Sequence, residues 1–213
     1  FEADFTTVDS KARSAVRLAV DSGDKKMLLE LLSSGAPVDT FADDGLTPLL
    51  ASIGAYRGEL VRALVEKGAS VNLSSRQEEK SIAPISLALQ QQCLPIAAFL
   101  LEKGAKPQDE LYRATDLGGD EGLKLVKVLL DGGATHSPDR GSEKDSPLAL
   151  AVRRGDVGIV KALLAAGASA EAIDPCGQNM LQVAVARGDV ATAKGLLEGG
   201  ADPNKPFNAE LSD

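Results

Sequence analysis

The sequence predicts an all-α repeat solenoid in which one helix–turn–helix unit recurs six times. The first observation is a glycine that recurs at intervals of 33, 36, 29, 34 and 33 residues, at Gly35, Gly68, Gly104, Gly133, Gly167 and Gly200. The second is an apolar pair, such as Leu31-Leu32 or Leu163-Leu164, that ends three residues before each glycine. A unit of this size cannot bury a core alone, so successive units must stack and share a continuous apolar seam.

Each unit carries signals for where its helices begin and end. Thr47-Pro48 and Ser146-Pro147 place a hydroxyl at the N-cap and a proline at the first helical position, where the missing N–H costs nothing. The recurring glycine follows the second apolar helix, where a left-handed cap commonly ends a helix. Apolar residues recur at helical spacing between these signals, which predicts two helices per unit.

The second unit carries the most complete motif. It reads Gly45-Leu46-Thr47-Pro48-Leu49-Leu50-Ala51-Ser52 and closes with Gly68-Ala69-Ser70-Val71-Asn72. This pattern resembles the ankyrin repeat. The resemblance implies stacked helix–turn–helix units with β-hairpin finger loops, and it implies that Asn72 bonds the backbone of the adjacent finger. The TPR repeat, which has a similar length, expects bulky aromatic residues that this chain lacks.

All six units can be laid on this pattern, and the fourth matches it least well. Taking the Thr47 position as the start, they begin at Ser14, Thr47, Ala83, Asp109, Ser146 and Asn179. We predict a single ankyrin-repeat domain over residues 1–213, with repeats at about 10–42, 43–77, 78–107, 108–140, 141–173 and 174–206.

The third and fourth units depart from the pattern. The next start, Asp109, lies only five residues after Gly104, which leaves no room for a hairpin. The fourth unit is then expected to lengthen the turn between its helices through residues 118–122. This junction is either a hinge or notch that seats a partner, or a deletion with a compensating insertion that has no functional role.

The composition argues against several classes of binding partner. Apolar residues make up 44% of the chain, whereas aromatic residues make up only 3%, so few large anchors are available. The net charge of −8 and the pI near 4.8 oppose a general affinity for nucleic acid or for an anionic membrane surface. No apolar run is long enough for a transmembrane helix. We therefore expect no nucleic-acid and no membrane partner, and a monomer.

The cysteines indicate the cellular compartment, and the first residue indicates whether the chain is a fragment. Cys93 and Cys176 fall in different units, too far apart for a disulfide, and unpaired thiols favour a reducing compartment. We expect a cytoplasmic protein, with the nucleus as the alternative. The chain begins at Phe1 without methionine, which suggests a fragment of a longer protein.

No catalytic or cofactor chemistry is predicted. His136 is the only histidine, and a lone histidine with two separated cysteines cannot build a metal site. The Gly118-Gly119-Asp120 run lacks the lysine and hydroxyl that a phosphate loop requires. We expect no cofactor and no enzyme activity.

The resemblance implies that partners bind at the finger tips and at the exposed end of the first helix of each unit. Seven and eight residues after each start lie Asp21 and Ser22, Gly54 and Ala55, Gln90 and Gln91, Asp116 and Leu117, Arg153 and Arg154, and Ala186 and Arg187. Three arginines thus cluster in the last two units of an acidic protein. Because a guanidinium pairs well with carboxylate or phosphate, the cluster favours an acidic or phosphorylated segment of another protein.

Other residues extend this candidate site. Tyr56 and Arg57 continue the row in the second unit, with Tyr56 as an aromatic anchor, and Phe41, Ile173 and Asp174 lie at finger tips. The alternative is that the arginines are ordinary helix-end residues, paired with Asp156 and Asp189, and that Phe41 is half-buried. We predict a non-catalytic protein-interaction scaffold with a binding groove. The alternative function is a regulatory domain that docks within a larger enzyme or channel.

Overall fold

The computed structural model describes residues 5, 7–76, 81–107, 110–135, 146–173 and 178–204. Twelve α-helices lie in this part of the chain, which divides into two compact units, residues 1–106 (the N-terminal unit) and 107–213 (the C-terminal unit). The N-terminal unit contains α1 Ala15–Ser22, α2 Lys25–Ser33, α3 Pro48–Gly54, α4 Gly58–Glu66, α5 Pro84–Gln90 and α6 Leu94–Glu102. The C-terminal unit contains α7 Glu110–Leu117, α8 Gly119–Asp131, α9 Pro147–Arg154, α10 Val157–Ala165, α11 Met180–Ala186 and α12 Val190–Glu198.

Five of the six odd-numbered helices, here called inner helices, begin where the sequence predicts, whereas Asp109, the predicted start before α7, lies outside the described residues. The side chains of Ser14, Thr47, Ser146 and Asn179 each accept a hydrogen bond from the backbone N–H three residues later, at 2.8–3.3 Å. Ala83 occupies the same position before α5 but has no side chain that can cap it. Four of the six predicted starts are therefore confirmed as side-chain N-caps.

The even-numbered, outer helices end at the recurring glycine. All six glycines have φ between +83° and +94°, the left-handed region that a residue with a Cβ enters only at a cost. The predicted helix ends are confirmed at every repeat.

Helix packing buries one apolar seam in each unit. In the N-terminal unit α1 packs against α3, α3 against α5, and α2 against α4. In the C-terminal unit α7 packs against α9 and α9 against α11, while α8 packs against α10 and α10 against α12. Fully buried large side chains include Leu49, Leu64, Leu100, Leu129 and Leu163. Each such side chain contributes roughly 1.5–3 kcal/mol relative to an exposed one.

The prediction of a longer turn between the helices of the fourth repeat is wrong. A single residue, Gly118, joins α7 to α8, and the inserted residues instead extend α8 to 13 residues, whereas every other outer helix has nine. Asp120 and Glu121 lie in the first turn of α8, where negative charge is favourable. The carboxylate of Asp156 also accepts a hydrogen bond from the Gly119 N–H at 3.4 Å. These contacts favour added helix over a longer loop.

Side chains in the finger loops form hydrogen bonds with the backbone of the next repeat and so link neighbouring fingers. Asn72 accepts from the Lys106 N–H at 2.9 Å and donates to the Gly104 carbonyl at 3.0 Å, as the resemblance implied. Asp39 and Glu171 accept backbone N–H groups about one repeat further along the chain. In the described part of the fingers, β-structure is confined to isolated bridges, at Val8–Ser14 and Ile173–Asn179.

Candidate protein-interaction surface

The turn from inner to outer helix has a left-handed backbone conformation that recurs in every repeat. Nine residues after each repeat start, the backbone has φ between +55° and +79°, at Gly23, Tyr56, Gln92, Gly118, Gly155 and Gly188. Four of these six residues are glycine, which adopts this conformation without a Cβ penalty. Tyr56 and Gln92 are therefore departures from the local rule, and the sequence analysis did not identify this position.

Tyr56 is exposed. The residue is 64% accessible, and its side chain makes no hydrogen bond or ring contact with another described residue. Gln90 is also exposed, whereas Gln91 is half-buried and its amide approaches the Gly54 carbonyl at 3.5 Å. Three of the predicted contact residues thus lie at the carboxyl ends of two neighbouring inner helices, α3 and α5.

Arg57 and Phe41 have partners within the N-terminal unit. The Arg57 guanidinium donates to the Val20 carbonyl at the end of α1 and lies against Gly23. Phe41 is half-buried, and the guanidinium of Arg76 lies 3.9 Å from its ring centroid. Both side chains make contacts that stabilise the fold, which weakens their candidacy as contacts for another protein.

The three arginines of the C-terminal unit have different surroundings. Arg154 pairs with Asp116 at 2.8 Å and lies 3.9 Å from Asp156, so its charge is largely compensated. Arg153 is half-buried at the end of α9. Arg187, the C-cap residue of α11, is exposed and forms no ion pair with another described residue.

Asp189, the carboxylate nearest to Arg187 in sequence, serves the outer helix. It accepts hydrogen bonds from both the hydroxyl and the backbone N–H of Thr192, and these bonds lower the pKa of Asp189. Arg187 lowers that pKa further through charge alone. Asp189 therefore acts mainly as the N-cap of α12, which leaves the Arg187 donors available.

A charged cluster that the sequence analysis missed lies in the first two repeats. Arg17 is almost buried, and it bonds Asp21 at 2.9 Å and Asp44 at 2.6 Å. Arg13 bonds Asp9 at 2.7 Å and Asp21 at 3.0 Å. Asp21, which the sequence analysis places on the candidate binding surface, is thus paired with two arginines. The spacing of four residues between Arg17 and Asp21 could have signalled this pair.

The same cluster lowers the pKa values of Asp9 and Asp44. The side-chain hydrogen bond from Arg13 lowers the pKa of Asp9 to about 2. Burial alone would raise the pKa of Asp44, but hydrogen bonds from Arg17 and the Leu46 N–H outweigh it and hold that pKa below its usual value.

The described residues contain neither a metal-binding cluster nor a membrane-spanning helix. No group of three His, Cys, Asp or Glu side chains there could hold a metal ion. None of the described helices combines the length and apolar character that crossing a bilayer requires. His136, Cys176 and Asp174, which the sequence analysis singled out, lie outside the described residues.

Comparison with known proteins finds one repeat family along the chain. A family profile described as "Ankyrin repeats (3 copies)" matches residues 9–110 and again residues 111–206. Similar curated proteins include "Ankyrin repeat, SAM and basic leucine zipper domain-containing protein 1" of Ornithorhynchus anatinus, 33% identical over 93 residues, which are 43% of this chain and 20% of that protein. Another is "Ankyrin repeat and KH domain-containing protein mask-1" of Caenorhabditis elegans, 28% identical over 179 residues, which are 82% of this chain and 6% of that protein. The chain therefore matches only a small part of each relative.

Solved structures give the same result. The ankyrin repeat domain of Bcl-3, described as a unique member of the IkappaB protein family, has a TM-score of 0.70 at 25% identity, covering 91% of this chain and 89% of that chain. An ankyrin repeat domain from Acinetobacter baumannii AYE has a TM-score of 0.70 at 26% identity, covering 88% and 98%.

Proposed function

Because the chain belongs to the ankyrin repeat family, whose repeats are protein-interaction modules, we propose that it is a non-catalytic scaffold that binds another protein through its inner-helix ends. Buried helices fix the positions of these ends, so the surface is presented without a large folding cost on binding. Each unit contributes its own candidate contact residues: Tyr56, Gln90 and Gln91 in the N-terminal unit, and separately Arg153, Arg154 and Arg187 in the C-terminal unit.

Arg187 carries the proposal. An exposed guanidinium with no ion-pair partner in the described structure offers a planar donor set in a protein of net charge −8. Carboxylates and phosphates match that donor set in two-point hydrogen bonds. We therefore propose that the partner presents an acidic or phosphorylated segment to the last two repeats. Arg154 would contribute less, since Asp116 and Asp156 already compensate it.

Affinity capture from the source cells tests this assignment. The chain would be compared with Arg187→Glu and Arg154→Glu variants and with Lys124→Glu, which makes the same charge change on the exposed side of outer helix α8. The proposal predicts a captured protein that Arg187→Glu loses, that Arg154→Glu loses less, and that Lys124→Glu retains. Equal capture by all four chains would remove Arg187 from the site. Circular dichroism of each variant establishes that it is folded.

A second candidate function follows from how little of its relatives the chain matches. The two curated relatives named above are about five and seventeen times longer than their matched segments. In a protein of that kind, the scaffold would act as a regulatory ankyrin domain that docks on another part of the same polypeptide. Capture experiments that recover only the parent polypeptide would favour this alternative.

A further inference from the structure

Tyr56 occupies a backbone position that disfavours it. At φ +57° its Cβ crowds the neighbouring carbonyl, and four of the six equivalent positions carry glycine instead. Such strain persists where the surrounding structure enforces it, and it concentrates at functional sites. The strain at Tyr56 is not offset by burial of the ring, because the residue is 64% exposed.

The surface around Tyr56 is open and uncharged. Gly54 and Ala55 precede it, both are exposed, and a Cβ built on Gly54 would meet no atom within 4 Å. Gln91 reaches the Gly54 carbonyl, so the end of α5 lies directly beside the end of α3. We call Gly54, Ala55, Tyr56, Gln90 and Gln91 the tyrosine patch.

The charged side chains next to the tyrosine patch are bonded to residues of the preceding repeat. Arg57 donates to the Val20 carbonyl, and Glu59 pairs with Lys25 at 2.5 Å. The patch therefore offers a partner one aromatic face, the exposed Gln90 amide and a floor of small residues, with no formal charge among its members, whereas the Gln91 amide is half-buried and bonds Gly54. Charge complementarity favours an uncharged segment here, in contrast to the arginine end of the chain.

From these observations we infer that the tyrosine patch binds an extended, uncharged, proline-containing segment of a partner protein. A proline ring lies flat against an exposed aromatic face, and its carbonyl accepts a hydrogen bond from a glutamine amide. The small residues allow the backbone of the segment to approach closely. A proline-rich strand is already extended before binding, so little conformational entropy is lost. The inference rests on the proposed scaffold function and adds a second class of partner chemistry to it.

Peptide selection on the intact chain tests the inference. A phage-displayed library of random dodecapeptides would be selected on immobilised chain, and synthetic versions of the enriched peptides would be titrated by fluorescence anisotropy. The expected result is enrichment of uncharged peptides that contain proline. Tyr56→Gly should weaken their binding by roughly tenfold or more, whereas Tyr56→Phe, which keeps the ring, should bind within about twofold.

Gln92→Gly is the matched control, since it relieves the same backbone strain one repeat away and leaves the ring in place. It should retain binding, and Tyr56→Gly should melt at a higher temperature than the unaltered chain. Lower melting of Tyr56→Gly would make the ring structural and overturn the inference. Enriched peptides that lack proline, or that bind Tyr56→Gly unchanged, would also overturn it.

Failure here can be told apart from failure of the proposed function. Acidic peptides that depend on Arg187 but not on Tyr56 would leave the scaffold standing and remove the tyrosine patch. Selection of no peptide at all would reject the patch as a peptide site, while capture of a partner protein dependent on Arg187 would still support the scaffold.

Discussion

Replacing Gly118 with alanine should destabilise the C-terminal unit by about 2 kcal/mol. Gly118 has φ +66°, so a Cβ there costs roughly 1 kcal/mol in backbone strain. The same Cβ would lie 2.8 Å from the Asp156 carboxylate, which must move. Its movement breaks the hydrogen bond that caps the Gly119 N–H at the start of α8, and the loss of such a cap costs about 1 kcal/mol.

Gly133→Ala provides the matched control for this prediction. Gly133 has φ +83°, but a Cβ there meets no atom within 4 Å, so only the strain of about 1 kcal/mol applies. Urea unfolding followed by far-ultraviolet circular dichroism would give both changes. Equal losses for the two variants would refute the role assigned to Asp156, because the second contribution would then be absent.

Three further predictions concern the N-terminal unit. Its stability should fall as the pH drops from about 4 to about 2, because Arg13 lowers the pKa of Asp9 from 3.8 to about 2 and protonation removes the bonded carboxylate. Asp9→Asn should flatten this part of the curve of stability against pH. An unchanged curve for Asp9→Asn would contradict the assignment. Arg17→Met should cost about 2–3 kcal/mol by calorimetry, since its two aspartates lose their donor at a nearly buried site, and a loss below about 1 kcal/mol would argue against the cluster. Asn72→Ala should lower the free energy of unfolding, measured in urea, by about 1 kcal/mol because two finger hydrogen bonds are lost. Gln90→Ala should change it by less than about 0.5 kcal/mol. An equally small effect of Asn72→Ala would show that the finger hydrogen bonds contribute nothing.

The sequence was sufficient for the fold because local signals agree with one another. Thr47 and Ser146 mark helix starts, and the recurring glycines mark helix ends at a period that only stacked units can satisfy. The fourth repeat was misread because glycines at 118, 119 and 122 favour a turn when taken alone. Packing of α8 against α10 and the hydrogen bond that the Gly119 N–H donates to Asp156 overrode that local preference.

The candidate site was only partly predictable. Spacing placed Arg153, Arg154 and Arg187 at helix ends, but ion pairing depends on residues distant in sequence, such as Asp116 for Arg154. Spacing likewise placed Arg57 on the surface, whereas its guanidinium is bonded to Val20 of the preceding repeat. Periodicity identifies the positions, and tertiary contacts decide which of them remain available.

Site-specific photocrosslinking tests the central proposal most directly. A photoreactive amino acid would replace Ala186, the exposed neighbour of Arg187, or Lys124, which is exposed on outer helix α8. Each chain would be irradiated with the captured partner, and the crosslinked product would be quantified by mass spectrometry. The proposal predicts a strong crosslink from position 186 and little from position 124. A crosslink that is equal or stronger at position 124 would contradict binding through the inner-helix ends.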